Sequence, residues 1–187
     1  MNNFIVAGIG GQGVLTCSKL ILEAALSKGY NVRSAETIGM AQRGGSVVSH
    51  VRLGEKIYSP FIPKGKVDEI ISLNHIEAFR YQDYMKKNGL ITTIRNNIEK
   101  ANFHVPQRED ICIQYYDLDE IKKRKINQKN INIMLLGVVF SKSQYLISLK
   151  DIEAAIIKKY TGKMQKENLE ALYLGVSLAQ EEIGNEG

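Results

Sequence analysis

The chain has 187 residues, of which 44% are hydrophobic and 24% charged, with 25 Lys and Arg against 20 Asp and Glu for a net charge of +5. Such values fit one globular domain of ordinary size, able to bury a core without disulfides or metals. No apolar run approaches the roughly 20 residues a membrane span needs, and Met1-Asn2-Asn3 leads straight into Phe4-Ile5-Val6-Ala7 without a basic leader, so the expected setting is the cytoplasm and a membrane role is set aside.

Phe4 to Ala7 reads as a buried strand running into a glycine turn, Gly8-Ile9-Gly10-Gly11-Gln12-Gly13. Beyond it, Val14, Cys17, Leu20, Ile21, Ala24 and Ala25 recur at three- and four-residue spacing and predict a helix, with Gly29 as the left-handed residue past its end. Asn31 to Ala35 reads as a second strand. Strand, helix and strand make a βαβ unit, whose strands are parallel and whose crossover is right-handed. From Ser46 to Leu53, Val47, Ser49, Val51 and Leu53 alternate with Ser46, Val48, His50 and Arg52, the pattern of a half-exposed strand. Gly54-Glu55 fits a tight turn after which Lys56 to Ser59 returns antiparallel, and the sheet is therefore expected to be mixed.

Pro60 and Pro63 bracket a loop, and Val67 to Leu73 reads as a central strand. Asn74 is suited to cap a helix carrying Ile76, Phe79 and Tyr84 as far as Asn88-Gly89. Leu90 to Ile94 and Ile111 to Tyr115 are shorter strands, and Ile131 to Phe140, Asp151 to Tyr160 and Met164 to Gln180 are helices. With no repeat, linker or low-complexity tract, residues 1–187 are expected to form a single three-layer α/β/α domain around a mixed, mostly parallel sheet with a Rossmann-like start. The basic run Lys122-Lys123-Arg124-Lys125 has no interleaved aromatics and reads as a solvated helix face, so no nucleic-acid partner is expected.

Gly8-x-Gly10-x-x-Gly13 between a strand and a helix has the spacing of a dinucleotide fingerprint, and Glu36 lies about 20 residues on, near where a ribose-binding acid sits. The glycines serve equally to let strand and helix pack tightly, and both readings stay open on spacing alone. No Gly-Lys-Ser/Thr follows a glycine run, which excludes a Walker-type loop. Cys17 and Cys112 are far apart, and His50, His75 and His104 have no metal-ligand spacing, so no metal site is read. An iron–sulfur cluster takes about four thiolates, so any electron wire belongs to another chain. Cys17 falls on the apolar stripe of the first helix and reads as core.

The string Gly39-Met40-Ala41-Gln42-Arg43-Gly44-Gly45-Ser46-Val47-Val48-Ser49-His50-Val51-Arg52 resembles the gamma-type small subunit of 2-oxoacid:ferredoxin oxidoreductases. Gly8-Ile9-Gly10-Gly11-Gln12-Gly13 and Tyr58-Ser59-Pro60 through Pro63 fit the same family, and together these cover about the first third of the chain. Pyruvate and 2-oxoglutarate members commonly carry Gly-Pro-Glu where this chain has Met40-Ala41-Gln42, so the resemblance is to the indolepyruvate type, whose small subunit is usually called beta. Leu73-Asn74-His75 stands where relatives often have Leu-Glu, which puts in doubt any role of that acid here.

The resemblance implies a reaction in which an aryl 2-oxoacid is decarboxylated on thiamine diphosphate, electrons pass through iron–sulfur clusters to ferredoxin, and coenzyme A takes the acyl group. It also implies that thiamine diphosphate and the clusters sit on a larger partner subunit, that this chain binds no cofactor alone, and that coenzyme A is shared between the two. Gly8, Gly10, Gly11, Gln12 and Gly13 are the candidates for a coenzyme A phosphate, at the start of a helix where backbone N–H groups favour anions. Met40, Gln42, Arg43, Gly44, Gly45, Ser46 and His50 are the candidates for the partner interface or a ligand, with Arg43 able to present a planar guanidinium from a loop the glycines free to bend. No catalytic residue is assigned to the chain. The alternative is a stand-alone nucleotide-binding Rossmann-like protein that takes NAD or coenzyme A, carried by the fingerprint and Glu36.

Overall fold

The computed structural model describes residues 1–39, 44–96, 108–124, 126–142 and 144–185. Its strands are β1 (Asn2–Ile9), β2 (Asn31–Ile38), β3 (Ser46–Gly54), β4 (Val67–Ser72), β5 (Met85–Arg95) and β6 (Cys112–Asp117), joined in one sheet in the order β2-β3-β1-β4-β5-β6. The α-helices are α1 (Val14–Ser27), α2 (His75–Arg80), α3 (Leu118–Lys123), α4 (Ile131–Phe140), α5 (Leu149–Lys159) and α6 (Gly162–Asn185). The pairs β1/β4, β4/β5 and β5/β6 are parallel, and β3 is antiparallel to both of its neighbours. Helices on both faces of this mixed, mostly parallel sheet give the expected three-layer fold.

Two expectations about β3 need correction. It is not half-exposed, since Val48, Ser49, His50 and Val51 are all buried. Nor does Lys56 to Ser59 return beside it, because β1 and β2 occupy both of its edges and leave no ladder position. Burial of His50 follows from the chain after β3, which folds over that face: the Ile62 N–H donates to His50 Nδ1 at 3.3 Å, and the rings of Phe61 and Tyr84 stand edge-on to the imidazole. β2 runs parallel to β1 as the βαβ reading requires, with β3 inserted between them.

The second helix is shorter than its spacing suggests. Asn74 caps it, its side chain accepting from the N–H groups of Ile76 and Glu77 at 2.9 and 3.2 Å, an interaction worth about 1 kcal/mol. The helix stops at Arg80, and a 3₁₀ turn over Gln82–Tyr84 delivers buried Met85 into the ladder beside Val67. Elsewhere the spacing serves well: α4, α5 and α6 fall where the sequence places them, and Gly29 is left-handed with φ 82.

Alternate residues of β1 divide the core. Phe4 and Val6 face a large cluster built with α1, α4, α5 and α6, whereas Ile5 and Ala7 face a small one built with α2 and Ile62. Helix α4 is apolar on all sides after Asn132, as a helix buried all round must be. It meets α6 backbone to backbone, since a Cβ on Gly137 would lie 1.9 Å from the Leu172 carbonyl oxygen and one on Gly175 1.9 Å from that of Met134. The basic segment at the end of α3 is balanced by carboxylates: Lys122 pairs with Asp119, Lys123 with Glu120 and Arg124 with Glu181. Among the described residues no helix is long and apolar enough to cross a membrane.

Candidate functional site

The helix following β1 packs on one face of the sheet and the helix following β4 on the other, which opens a crevice at the carboxyl ends of these adjacent strands. Both sequence strings with functional promise meet there. The Gly10 N–H donates to the Gly45 carbonyl oxygen at 2.9 Å, and Ile9 pairs with Ser46 in the β1/β3 ladder. A second bond, Gly39 N–H to the Ser46 carbonyl oxygen at 2.7 Å, closes the base of the intervening segment. Met40, Gln42 and Arg43 lie outside the described residues.

The glycine loop holds its shape through its own side chain and its neighbours. Gln12 Oε1 accepts from the Ile9 N–H at 2.7 Å, so this side chain braces the turn. Gly8 has no room for a Cβ, which would stand 2.9 Å from Gln12 Oε1 and 3.2 Å from Leu73 Cβ. Gly13, at φ 91, caps α1 without a side-chain acceptor, and a Cβ there would meet Asn132 Nδ2 at 2.3 Å. Space opens at Gly11, where an added Cβ would find nothing within 4 Å. The first N–H groups of a helix have no intrahelical partner, so the start of α1 presents unused donors at the loop.

Two cavities flank this loop. The larger, about 560 Å³, is bounded by Gly11 and Gly13, by Lys129 and Asn132 ahead of and within α4, and by Glu167 and Asn168 of α6, with Ile133, Tyr160 and Met164 adding apolar surface. The smaller, about 190 Å³, is lined mainly by Leu73, Ile94, Leu118 and Ile131 at the strand ends, and Gln12 and Gln128 border both. Asn132 Nδ2 donates to the Gly13 carbonyl oxygen at 3.3 Å and ties α4 to the loop. Sequence reading missed the α4 and α6 side of the site. The one signal for it was Asn132, a lone polar side chain inside an otherwise apolar helix.

The remaining candidates separate. Ser46 Oγ donates to Glu77 Oε2 at 2.5 Å and links β3 to α2. His50, expected at an interface, is instead buried inside the chain, and burial together with the Arg52 charge holds its imidazole below the ordinary histidine range. Arg52 binds Asn3 Oδ1 at 3.0 Å and the carbonyl oxygens of Ser59 and Phe61 at 2.9 and 3.2 Å. His50 and Arg52 therefore clamp the loop that holds Tyr58-Ser59-Pro60. Glu36 does not reach the glycines: it shares Ser49 as ladder partner with Val6, which puts it level with Val6 and two strands, roughly 10 Å, away. Insertion of β3 thus removes the acid that a dinucleotide grip needs. Cys17 is in the core with its thiol pushed up to about 12 by burial, while Cys112 is exposed at the start of β6. Among the described residues no group of three or more His, Cys, Asp or Glu is placed to hold a metal ion.

Over residues 3–178 the chain matches the family of pyruvate ferredoxin/flavodoxin oxidoreductases. It is 34% identical to indolepyruvate oxidoreductase subunit IorB of Thermococcus kodakarensis, covering 97% of this chain and 98% of that one, and 35% identical to the subunit of the same name from Archaeoglobus fulgidus, covering 95% and 94%. Among solved structures it is similar to the keto/oxoacid ferredoxin oxidoreductase gamma subunit of Geobacter sulfurreducens, with a TM-score of 0.73 at 19% identity over 97% of this chain and 99% of that one. It also resembles part of the 2-oxoglutarate:ferredoxin oxidoreductase of Magnetococcus marinus, with a TM-score of 0.75 at 21% identity over 96% of this chain and 31% of that one. At those identities the solved structures speak to the fold, and the family follows from the sequence matches. The chain belongs to the pyruvate ferredoxin/flavodoxin oxidoreductase family, as a gamma-type small subunit of a 2-oxoacid:ferredoxin oxidoreductase.

Proposed function

We propose that this is the small subunit of an indolepyruvate-type enzyme, which converts an aryl 2-oxoacid to its acyl-CoA and passes the electrons to ferredoxin. The reading is carried by the near full-length likeness, at 32 to 35% identity, to three subunits named for indolepyruvate. Thiamine diphosphate and the iron–sulfur clusters, which supply decarboxylation and electron transfer when bound, belong in this reading to a larger partner subunit. The cysteines of this chain do not fit a shared cluster, one being core and the other on a different element.

This chain's part is to bind and to position. The glycine loop and the start of α1 offer backbone N–H groups to a phosphate of coenzyme A. Arg43, which precedes the Gly44-Gly45 step in the sequence, offers in this reading a bidentate guanidinium to a carboxylate of the partner or to an anionic ligand. Ser46, through Glu77, ties the start of β3 to α2. The setting proposed is the cytoplasm.

Co-expression of the chain with a thiamine- and cluster-bearing large subunit, followed by assay of coenzyme A-dependent ferredoxin reduction, tests the reading. Indolepyruvate and phenylpyruvate are expected to be oxidised well ahead of pyruvate and 2-oxoglutarate, and only when both subunits are present. A complex that prefers pyruvate, or a large subunit fully active by itself, would contradict it.

A further inference from the structure

The sheet is left open at β2, which has β3 on one side and, among the described residues, no strand on the other. Its outer row of backbone N–H and C=O groups is therefore a template for another strand. Proteins blunt such edges with proline, a bulge or a very short strand, and β2 has none of these: it runs eight residues without proline, in continuous register with β3, and five of the eight are exposed. Val32 packs against the core beneath α1, so the even-numbered residues of β2 face that helix, and Ile38, 63% exposed, lies on the same side. Helix α1 adds an apolar flank. Its Cys17 side meets α4, the thiol donating to the Asn132 carbonyl oxygen, and by helical spacing Leu15, Leu22 and Leu26 fall together on the other side. Since α4 packs over β4 and β5, that other side looks toward the β2 edge, and Leu26 there is 57% exposed.

What fits an open edge is a strand, and β2 is complementary to itself. A two-fold axis normal to the sheet pairs its residues antiparallel, each opposite one of the same parity. Centred on Arg33 or on Glu36, the axis sets like charges opposite each other, and centred on Ser34 it sets Val32 opposite Glu36. Centred on Ala35, it sets Val32 opposite Ile38, Ser34 opposite Glu36, Arg33 opposite Thr37, and the small Ala35 opposite itself. The nearest like charges, the two Glu36 carboxylates, are then diagonal rather than opposite. Because α1 runs back from the carboxyl end of β1 to the amino end of β2, the same axis brings the Leu26 end of one α1 toward Leu15 and Ile38 of the other copy. We propose that the β2 edge and the flank of α1 bearing Leu15, Leu22 and Leu26 form the contact between two copies of this chain, whose sheets join through β2 in the register centred on Ala35. The contact stands whichever 2-oxoacid the assembled enzyme takes.

Sedimentation equilibrium of the full chain is expected to show a monomer–dimer equilibrium. Ile38→Lys and Leu26→Lys alter exposed side chains, so each should leave the melting temperature of the dilute chain unchanged while raising the dimer dissociation constant at least about tenfold. The register is read by cross-linking in a Cys112→Ser background, where the remaining cysteine, Cys17, is buried. With oxidised glutathione as oxidant, Ala35→Cys should give a disulfide-linked dimer, because directly opposite Cβ atoms lie about 4.5–5.5 Å apart and a small shift lets the thiols meet. Arg33→Cys, opposite Thr37 of the other copy, should not. A chain still monomeric at about 1 mM overturns the proposal. So does a dimer that both lysine variants leave unchanged, or one that links through Arg33→Cys and not through Ala35→Cys. A monomer whose β2 amides become protected from hydrogen exchange only when the large subunit binds overturns the second copy as occupant and gives the edge to that subunit.

Discussion

On one face of the sheet, thirty buried apolar side chains from β1, α1, α4, α5, α6 and their neighbours form a continuous core, while the opposite face gathers ten around α2 and Ile62, among the described residues. The heavy face is closed by helix crossings as tight as the glycine contact between α4 and α6. The light face is held mostly by polar clamps, His50 and Arg52 on the loop after β3, and it leaves Tyr58 93% and Phe61 58% exposed. Burial of apolar area stabilises by roughly 25 cal/mol per Å², so the heavy face supplies most of the folding free energy. The light face is therefore free to serve contacts that the isolated chain does not need.

Core truncations should show the largest contrast. Phe140 packs against the rings of Phe4 and Tyr145 at centroid distances of 5.7 and 5.8 Å, and Phe140→Ala should destabilise by about 3–5 kcal/mol in urea or thermal unfolding. Ile62, buried from a loop that can settle into the gap, should lose about 2 kcal/mol on Ile62→Ala. Equal losses at the two positions would break the comparison.

Smaller effects, of opposite sign, are expected from two buried titratable groups. Glu69 on the heavy face receives hydrogen bonds from Thr92 Oγ1 at 2.5 Å and from the Tyr145 hydroxyl, and burial raises its pKa despite the opposing influence of Lys142 and those bonds. An unfolded chain releases this proton near 4.5 and the folded chain at higher pH, so the folded state holds more protons in between and stability falls as pH rises through that window. Glu69→Gln should flatten that decline in melting temperature. His50 on the light face is lowered below 6.5, so there the unfolded state binds more protons and stability falls as pH drops from 6.5. His50→Gln should remove that acid-side loss, and the Glu69 and His50 variants should leave each other's slope unchanged.

Much of the fold was legible in the sequence where its signals are local: the spacing from Val14 to Ala25 and the apolar run of α4 on the heavy face, and the Asn74 cap on the light one, each lie within one element. Alternation misreads β3 because it cannot tell a solvent-facing His50 from one satisfied by the Ile62 N–H, and because one of its two partners, β1, comes from a distant part of the chain. α2 was read too long because the pull of Met85 into a ladder with Val67 is a tertiary effect. The glycine loop could be found for the same local reasons as α1. Its far wall could not, since Asn132 and Asn168 come to border the cavity beside the loop only through the packing of α4 on α1 and of α6 on α4.

The claim that the sequence between β2 and β3 serves contacts the isolated chain does not need for folding is tested most directly at Arg43. Arg43→Ala, made in the full chain, should leave the melting temperature within the change expected of about 0.5 kcal/mol. Affinity for the large subunit, or 2-oxoacid-dependent ferredoxin reduction by the assembled complex, should fall at least about tenfold, equivalent to about 1.4 kcal/mol, with little rescue by Arg43→Lys because lysine lacks the planar fork. An Arg43→Ala complex that assembles and turns over like the unmodified one would contradict the account and reduce the segment between Gly39 and Gly44 to a spacer.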